Sequence, residues 1–223
     1  MGPARKQVLA LSGGVGGAKL SLGLERVLPA GDLHVLVNTG DDFDHLGLHI
    51  SPDIDTVLYT LSGRASQAQG WGLEGDSWNT MEAMAALEGD TWFRLGDRDL
   101  ATHLWRRRQL DAGIDLAAVT RDLACRLGVQ SRVYPMSCEA VRTTVHTDEG
   151  DLPFQHYFVR RQCEPKVLGF SFEGLDSARP DPGVLALLAS RDLSHIVVCP
   201  SNPFVSIDPI LQVSGMWQAL RDH

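Results

Sequence analysis

Val8-Leu-Ala-Leu11-Ser12-Gly13-Gly14-Val15-Gly16-Gly17-Ala18-Lys19-Leu20 decides the fold. Its four apolar residues form an unbroken run, as in a central parallel strand covered on both faces. The glycine series breaks that run. Leu20, Leu24 and Val27 then recur at helical spacing until Pro29 and Gly31 end the helix. Leu33-His-Val-Leu-Val37 reads as a second buried strand, with Asn38 and Thr39-Gly-Asp-Asp42 at its carboxyl end. The expected fold is a three-layer, Rossmann-like α/β domain with a mostly parallel sheet. Ligands of such sheets bind at the carboxyl ends of the strands.

Further along, Thr56 to about Leu127 reads as a helical insertion beside the sheet, its last helix running from Asp115 to a C-cap at Gly128. Arg106-Arg-Arg108 within it reads as a solvated helix face. Arg132–Tyr134, Thr143–His146 and Phe154–Val159 are strand-like, the last two as a hairpin. Pro182–Ala189 reads as a helix. His195-Ile-Val-Val-Cys199 is another buried parallel strand, running into the turn Pro200-Ser-Asn-Pro203. A helix over Gly215–Arg221 closes the sequence. A further strand is expected after it, so residues 1–223 read as one domain lacking its C-terminal part.

The 223 residues carry 20 Lys+Arg against 28 Asp+Glu, a net charge of −8, which argues against a nucleic-acid partner. A phosphate ligand needs only a local nest of N–H groups. Cys125, Cys138, Cys163 and Cys199 lack Cys-x-x-Cys spacing and read as incidental thiols. No stretch reaches a membrane span of about 18 apolar residues, so a cytoplasmic protein is expected.

Ser12, Gly13, Gly14, Gly16, Gly17 and Lys19 sit between a strand and a helix, where exposed N–H groups and the helix dipole attract an anion. Glycine permits close backbone approach and positive φ. The loop is neither a Walker A motif nor a clean G-x-G-x-x-G. Among the acidic residues 41, 42, 44, 53 and 55, Asp41 and Asp42 follow a strand end and are the candidate ligands for Mg²⁺. Asn38, Ser201 and Asn202 close two strands and offer hydrogen bonds to a base or ribose. Arg94 lies in a charged turn, where it clamps an anion or joins surface salt bridges. His45 and His49 read as loop or partly buried histidines.

These pieces in this order resemble the 2-phospho-L-lactate transferase (CofD-like) family of coenzyme F-420 biosynthesis. The stretches are Leu11-Ser-Gly-Gly-Val-Gly-Gly-Ala-Lys19, Val37-Asn-Thr-Gly-Asp-Asp42, Ile50-Ser-Pro-Asp-Ile-Asp-Thr-Val-Leu-Tyr59, Gly70-Trp-Gly-Leu73, Leu95-Gly-Asp-Arg-Asp99 with Ala101-Thr-His103, Pro135-Met-Ser137, and Pro200-Ser-Asn-Pro203 before Ser206-Ile207. The resemblance implies a Mg²⁺-dependent transferase, homodimeric in family members, whose donor is guanosine diphosphate esterified to a small organic acid. The ribityl hydroxyl of the deazaflavin Fo attacks the phosphorus bearing that acid, and GMP leaves. Asp55 and Arg94 match the deazaflavin contacts, and Asp55 is the expected catalytic group, taking a hydrogen bond or the proton of the hydroxyl. Lactate, enolpyruvate and glycerate all remain open as the acid. A nucleotide-sugar-binding regulator of the same fold and an inactive remnant are the alternatives.

Overall fold

The structure, a computed structural model, describes residues 6–223. The opening run becomes β1 (Gln7–Ser12), and α1 (Val15–Val27) starts after only two residues. β2 (Leu33–Val37) pairs parallel with β1 from Val8↔Leu33 to Ser12↔Val37. A tight hairpin, β3 (Phe43–His45) and β4 (Leu48–Ile50), turns at Leu46 and Gly47, both with positive φ. Four helices follow: α2 (Pro52–Leu61), α3 (Asn79–Ala86), α4 (Asp97–Asp111) and α5 (Leu116–Leu127). They lead to β5 (Arg132–Pro135), parallel to β2.

A separate antiparallel sheet of β6 (Arg142–Thr147), β7 (Gly150–Pro153) and β8 (Val167–Glu173) has the order β7-β6-β8. α6 (Pro182–Leu188) precedes β9 (Leu193–Val198), which pairs parallel with the free side of β1. The chain then runs through α7 (Asp208–Gln212) and α8 (Met216–Arg221). The main sheet has the order β5-β2-β1-β9 and every pairing in it is parallel.

Alternation along β1 explains its unbroken hydrophobicity. Val8 and Ala10 point to one face and pack with Ile54, Val57 and Leu58 of α2 and Val119 and Leu123 of α5. Leu9 and Leu11 point to the other and pack with Val184 and Leu187 of α6, Ile210 of α7 and Met216 of α8. These are the three layers. The helices that follow β1 and β9 cover opposite faces, so the connections leaving the two paired strands part in opposite directions at their carboxyl ends. A crevice opens there, between the glycine loop and Pro200–Pro203.

Two expectations change. In the segment read as an insertion, α2 and α5 are a layer of the sheet itself. Ile54, Val57, Leu58 and Leu61 form an inward stripe on α2 that starts before Thr56. α3 and α4 stand apart over a small core of Leu48, Ile50, Met81, Leu95 and Leu100. Phe154–Val159 is not a strand: β7 ends at Pro153, and His156–Arg160 forms a π-helical turn. β6 pairs instead with β7 and β8. Among the described residues, no helix is long and apolar enough to cross a membrane.

Candidate active site

The glycine loop is shaped by what packs on it. A Cβ on Gly13 would stand 2.6 Å from Ser206 Oγ, on Gly14 2.5 Å from Asp53 Oδ1, on Gly16 2.2 Å from the Pro200 carbonyl oxygen, and on Gly17 2.2 Å from Ser12 Oγ. None of these four has positive φ. Glycine is required here by close contact with the Pro200 turn and Asp53, rather than by backbone conformation. Gly13 N–H donates to Ser201 Oγ at 2.9 Å and Ser12 Oγ donates to Gly13 O at 2.7 Å, tying the loop to the turn after β9. α1 leaves the N–H groups of its first turn without helical acceptors, and Gly14, Val15 and Gly16 face the crevice. Lys19 is exposed on α1 and is not part of the crevice lining.

Asn38 is fully buried and works inside the protein. Its Nδ2 donates toward Asp41 Oδ1 at 2.9 Å, Asp53 Oδ2 at 3.0 Å and Val205 O at 3.3 Å, and its Oδ1 accepts from Gly40 N–H. Its role is to bracket two carboxylates, not to read a base. Asp41 and Asp53 both line the crevice. Burial pushes Asp53 up to about 7, against the Asn38 hydrogen bond and with help from the Asp42 charge. Burial, then the Asp53 charge, puts Asp41 well above the usual carboxylate range. Asp42 faces elsewhere. Its Oδ2 accepts from Ser51 Oγ at 2.8 Å and lies 3.1 Å from His49 Nε2, and it is not among the lining residues. The acidic pair at the crevice is therefore Asp41 with Asp53, and Asp42 is corrected to a bracing role.

Asp55, two residues further along α2, also lines the crevice. Arg106 grips it fork to fork: Nη1 donates to Oδ2 at 3.1 Å and Nη2 donates to Oδ1. The solvated reading of residue 106 is overturned, since its side chain has 0% exposure. Burial opposes its charge, but the Asp55 carboxylate outweighs that and raises Arg106 above the ordinary arginine value. Asp99, His103 and Arg106 fall at i, i+4 and i+7, one stripe of α4. Tyr59 O–H donates to Asp99 Oδ1 at 2.6 Å, His103 Nε2 lies 3.3 Å from the same oxygen, and Arg106 Nη1 donates toward His103 Nδ1 at 3.2 Å. Burial disfavours the Asp99 charge, yet the contacts with His103 and Tyr59 leave it below the usual carboxylate range.

The crevice encloses about 940 Å³. One end is polar, with the glycine loop, Asp41, Asp53, Ser201, Asn202 and Ser206. The other is aromatic, with Trp71, Trp92, Phe93, Phe154 and Phe158. Asn202 Oδ1 caps the turn that follows it by accepting from Phe204 N–H at 2.9 Å. Arg94 stands at the aromatic end with its guanidinium 4.3 Å from the centre of the Trp78 ring. Asp97 and Asp76, from the same charged turn, are structural caps. Asp97 accepts from Thr80 N–H at 2.9 Å and from Ser77 Oγ at 2.7 Å, and Asp76 accepts from Arg98 N–H at 2.8 Å. His45 is buried in β3 against Trp92, 5.3 Å between ring centres.

Residues 8–223 match the family described as "2-phospho-L-lactate transferase CofD". The chain belongs to the CofD family. It is 41% identical over 221 residues to a phosphoenolpyruvate transferase of Streptomyces griseus, covering 97% of this chain and 69% of that protein. It is 40% identical to a 2-phospho-L-lactate transferase of Methanopyrus kandleri, with 97% and 69% covered. Among solved structures, protein BH3568 of Bacillus halodurans superposes with a TM-score of 0.67 at 19% identity, over 97% of this chain and 66% of that one, a likeness of fold. The chain thus spans about two thirds of the length of these relatives.

In this CofD-family chain, the crevice gathers Gly14, Gly16, Asp41, Asp55, Arg94, Ser201 and Asn202 from the residues singled out in the sequence. Ser12, Gly13, Gly17 and Asn38 support it from behind, and Lys19 and Asp42 stand off it. Sequence reasoning missed Asp53 as the second carboxylate, the Tyr59–Asp99–His103–Arg106 network, and the aromatic wall from residues 154–162. The α4 stripe was a usable signal. The wall was hidden because Phe154 and Phe158, which stack at 5.6 Å, come together through the helical turn at His156–Arg160 where a strand was expected.

Proposed function

We propose that this CofD-family chain moves a phospho-organic-acid group from a guanosine-diphosphate-linked donor to the ribityl hydroxyl of Fo, releasing GMP. The observation that supports this best is the two-ended crevice. An amide-lined, acidic part suited to a diphosphate and an aromatic part suited to a planar heterocycle share one crevice, and Asp55 lines it too. The aromatic end also favours this reading over the nucleotide-sugar binder, whose hydroxyls call for polar partners.

The donor set fits Mg²⁺. Two buried carboxylates are held by one amide and pushed toward neutrality, by burial first and then by neighbouring carboxylate charge, which a bound cation would relieve. Among the described residues no group of three or more His, Cys, Asp or Glu is arranged for a metal. Mg²⁺ commonly keeps waters and shares ligands with substrate phosphates, so two carboxylates are enough to propose it. Asp41 and Asp53 would hold it, and it would offset charge on the diphosphate.

The chain's own groups do the rest. First-turn N–H groups of α1 hold phosphate oxygens at a helix N-terminus. Both Asp55 oxygens are engaged by Arg106, so Asp55 accepts a hydrogen bond from the hydroxyl and aims it. A bond forms from the hydroxyl oxygen to the phosphorus bearing the acid, and the bond from that phosphorus to the GMP oxygen breaks. The hydroxyl proton ends on the departing phosphate. Such transfers depend mainly on alignment and charge stabilisation.

The test is GMP release with Fo and each of three guanylylated acids (phospholactate, phosphoenolpyruvate and phosphoglycerate), with product mass identifying the acid transferred. Release of GMP dependent on both Fo and one donor is the expected result. Binding of a UDP-sugar with no affinity for Fo would overturn the reading.

A further inference from the structure

Arg106 does not touch the crevice. It is absent from the lining, its side chain is fully buried, and it reaches the site only through groups that do line it, Asp55 and His103. Its guanidinium meets both oxygens of Asp55 and also donates to the His49 carbonyl oxygen at 3.3 Å, in the β3–β4 hairpin. A fork-to-fork pair fixes the plane of a carboxylate as well as its charge, which a lysine in the same place does not. His103, resting 3.7 Å from Asp55 Oδ2, is itself braced on Asp99. The Asp55 carboxylate therefore has one orientation, with its outer edge toward the crevice.

From this we infer that Arg106 is a positioning residue for the acceptor, acting through Asp55 and having no part in holding the donor. The inference rests on the proposed reading of Asp55 as the acceptor contact. It also assigns α4 a function: the helix braces Asp55 on the acceptor side, while the donor side is built from β1, β2, α1, the turn after β9 and Asp53 at the start of α2. Arg106 makes no direct contact with Gly14 or Asp53, so acceptor affinity is expected to respond to its substitution far more than donor affinity.

The test measures Fo and GDP affinity by calorimetric titration for the unsubstituted chain, R106K, D55N and D55N/R106M. Arg106→Lys keeps a charge and loses the fork, and is expected to weaken Fo about tenfold. GDP affinity should stay within about twofold. Asp55→Asn should weaken Fo by at least as much, and in that background Arg106→Met should change Fo affinity by less than about twofold, because its route to the ligand is already gone. The double variant itself strands neither charge, so it remains a readout even if R106K fails to fold, whereas D55N alone leaves Arg106 with only its His49 and His103 contacts.

Normal Fo binding by R106K would overturn the inference, as would losses that multiply in the double variant or a parallel loss of GDP affinity. If D55N itself binds Fo normally, or the unsubstituted chain binds none, the reading of the site fails and the inference falls with it. If D55N weakens Fo and Arg106 proves independent of it, the reading stands and only the inference is lost.

Discussion

Gly14 lies directly against the Asp53 carboxylate, so closely that a Cβ on Gly14 would stand 2.5 Å from Asp53 Oδ1. The anion loop and the acidic pair are one unit, separated by less than a methyl group. This unit comes from two βα connections that meet only because β1 and β2 are neighbours. Gly14→Ala should push the Asp53 side chain aside and lower Mg²⁺ and GDP affinity by about tenfold or more. The obstruction is a side-chain tip, so the fold should lose only about 1 kcal/mol. Gly16→Ala meets a backbone carbonyl oxygen and should cost more stability than Gly14→Ala. Titration calorimetry and urea unfolding separate the two; equal GDP affinity in Gly14→Ala and the unsubstituted chain would contradict the coupling.

The Asp41–Asp53 pair makes the metal-free protein less stable as pH rises. Asp53 titrates near 7 in the folded chain, against an ordinary carboxylate value of 3.8, because burial disfavours its charge. Between those values the folded state holds more protons than the unfolded state, so stability falls as pH climbs through about 4 to 7. The loss should be on the order of 2–4 kcal/mol. Asp97 acts in the opposite sense, but only at lower pH, where protonation costs it the hydrogen bonds from Ser77 and Thr80. Melting followed in chelator should show a lower Tm at pH 8 than at pH 5, and added Mg²⁺ should recover it at pH 8 far more than at pH 5. A Tm that rises over this interval in chelator would refute the assignment.

Trp71 is 44% exposed at the aromatic end, with its ring centre 6.0 Å from Trp78, which in turn carries Arg94. Its exposed face is available for stacking on a planar acceptor. Trp71→Ala should weaken Fo about five- to tenfold, in line with an aromatic contact of roughly 1 kcal/mol or slightly more. GDP affinity and Tm should hold. Matching losses for both ligands would show that Trp71 supports the fold instead.

The sequence made the crevice legible where a strand announces itself by burial on both faces. β1 with its glycine loop was readable in that way; β9 was placed correctly as a parallel strand running into Pro200–Pro203, but it is the edge strand of the described sheet and is largely exposed rather than buried. What it did not reveal was the division of labour among neighbouring carboxylates. Asp42 and Asp53 both follow strand or loop ends, and only the positions of Ser51 and His49 turn Asp42 away from the crevice. Asn38 looked like a ligand donor because a buried amide bridging two acids has no local signature. Phe154–Val159 looked like a strand because its β-prone residues outweighed Pro153, the residue that ends the pairing. In each case the deciding partner is distant in sequence or lies on another element.

Arg106 and Arg107 put that lesson in testable form, since the three-arginine run offers no local clue that one faces inward. Arg107 is exposed and pairs with Asp111 four residues on, a contact worth little in water, so Arg107→Ala should change stability by no more than about 0.5 kcal/mol. Arg106→Met leaves the Asp55 charge buried without its partner and should cost about 3–5 kcal/mol. Adding Asp55→Asn to Arg106→Met removes the stranded charge, and most of that loss should return. Urea unfolding of the two single variants and the double variant tests this directly. If the double variant is less stable than Arg106→Met alone, the penalty arises from lost packing around the guanidinium rather than from an unpaired Asp55.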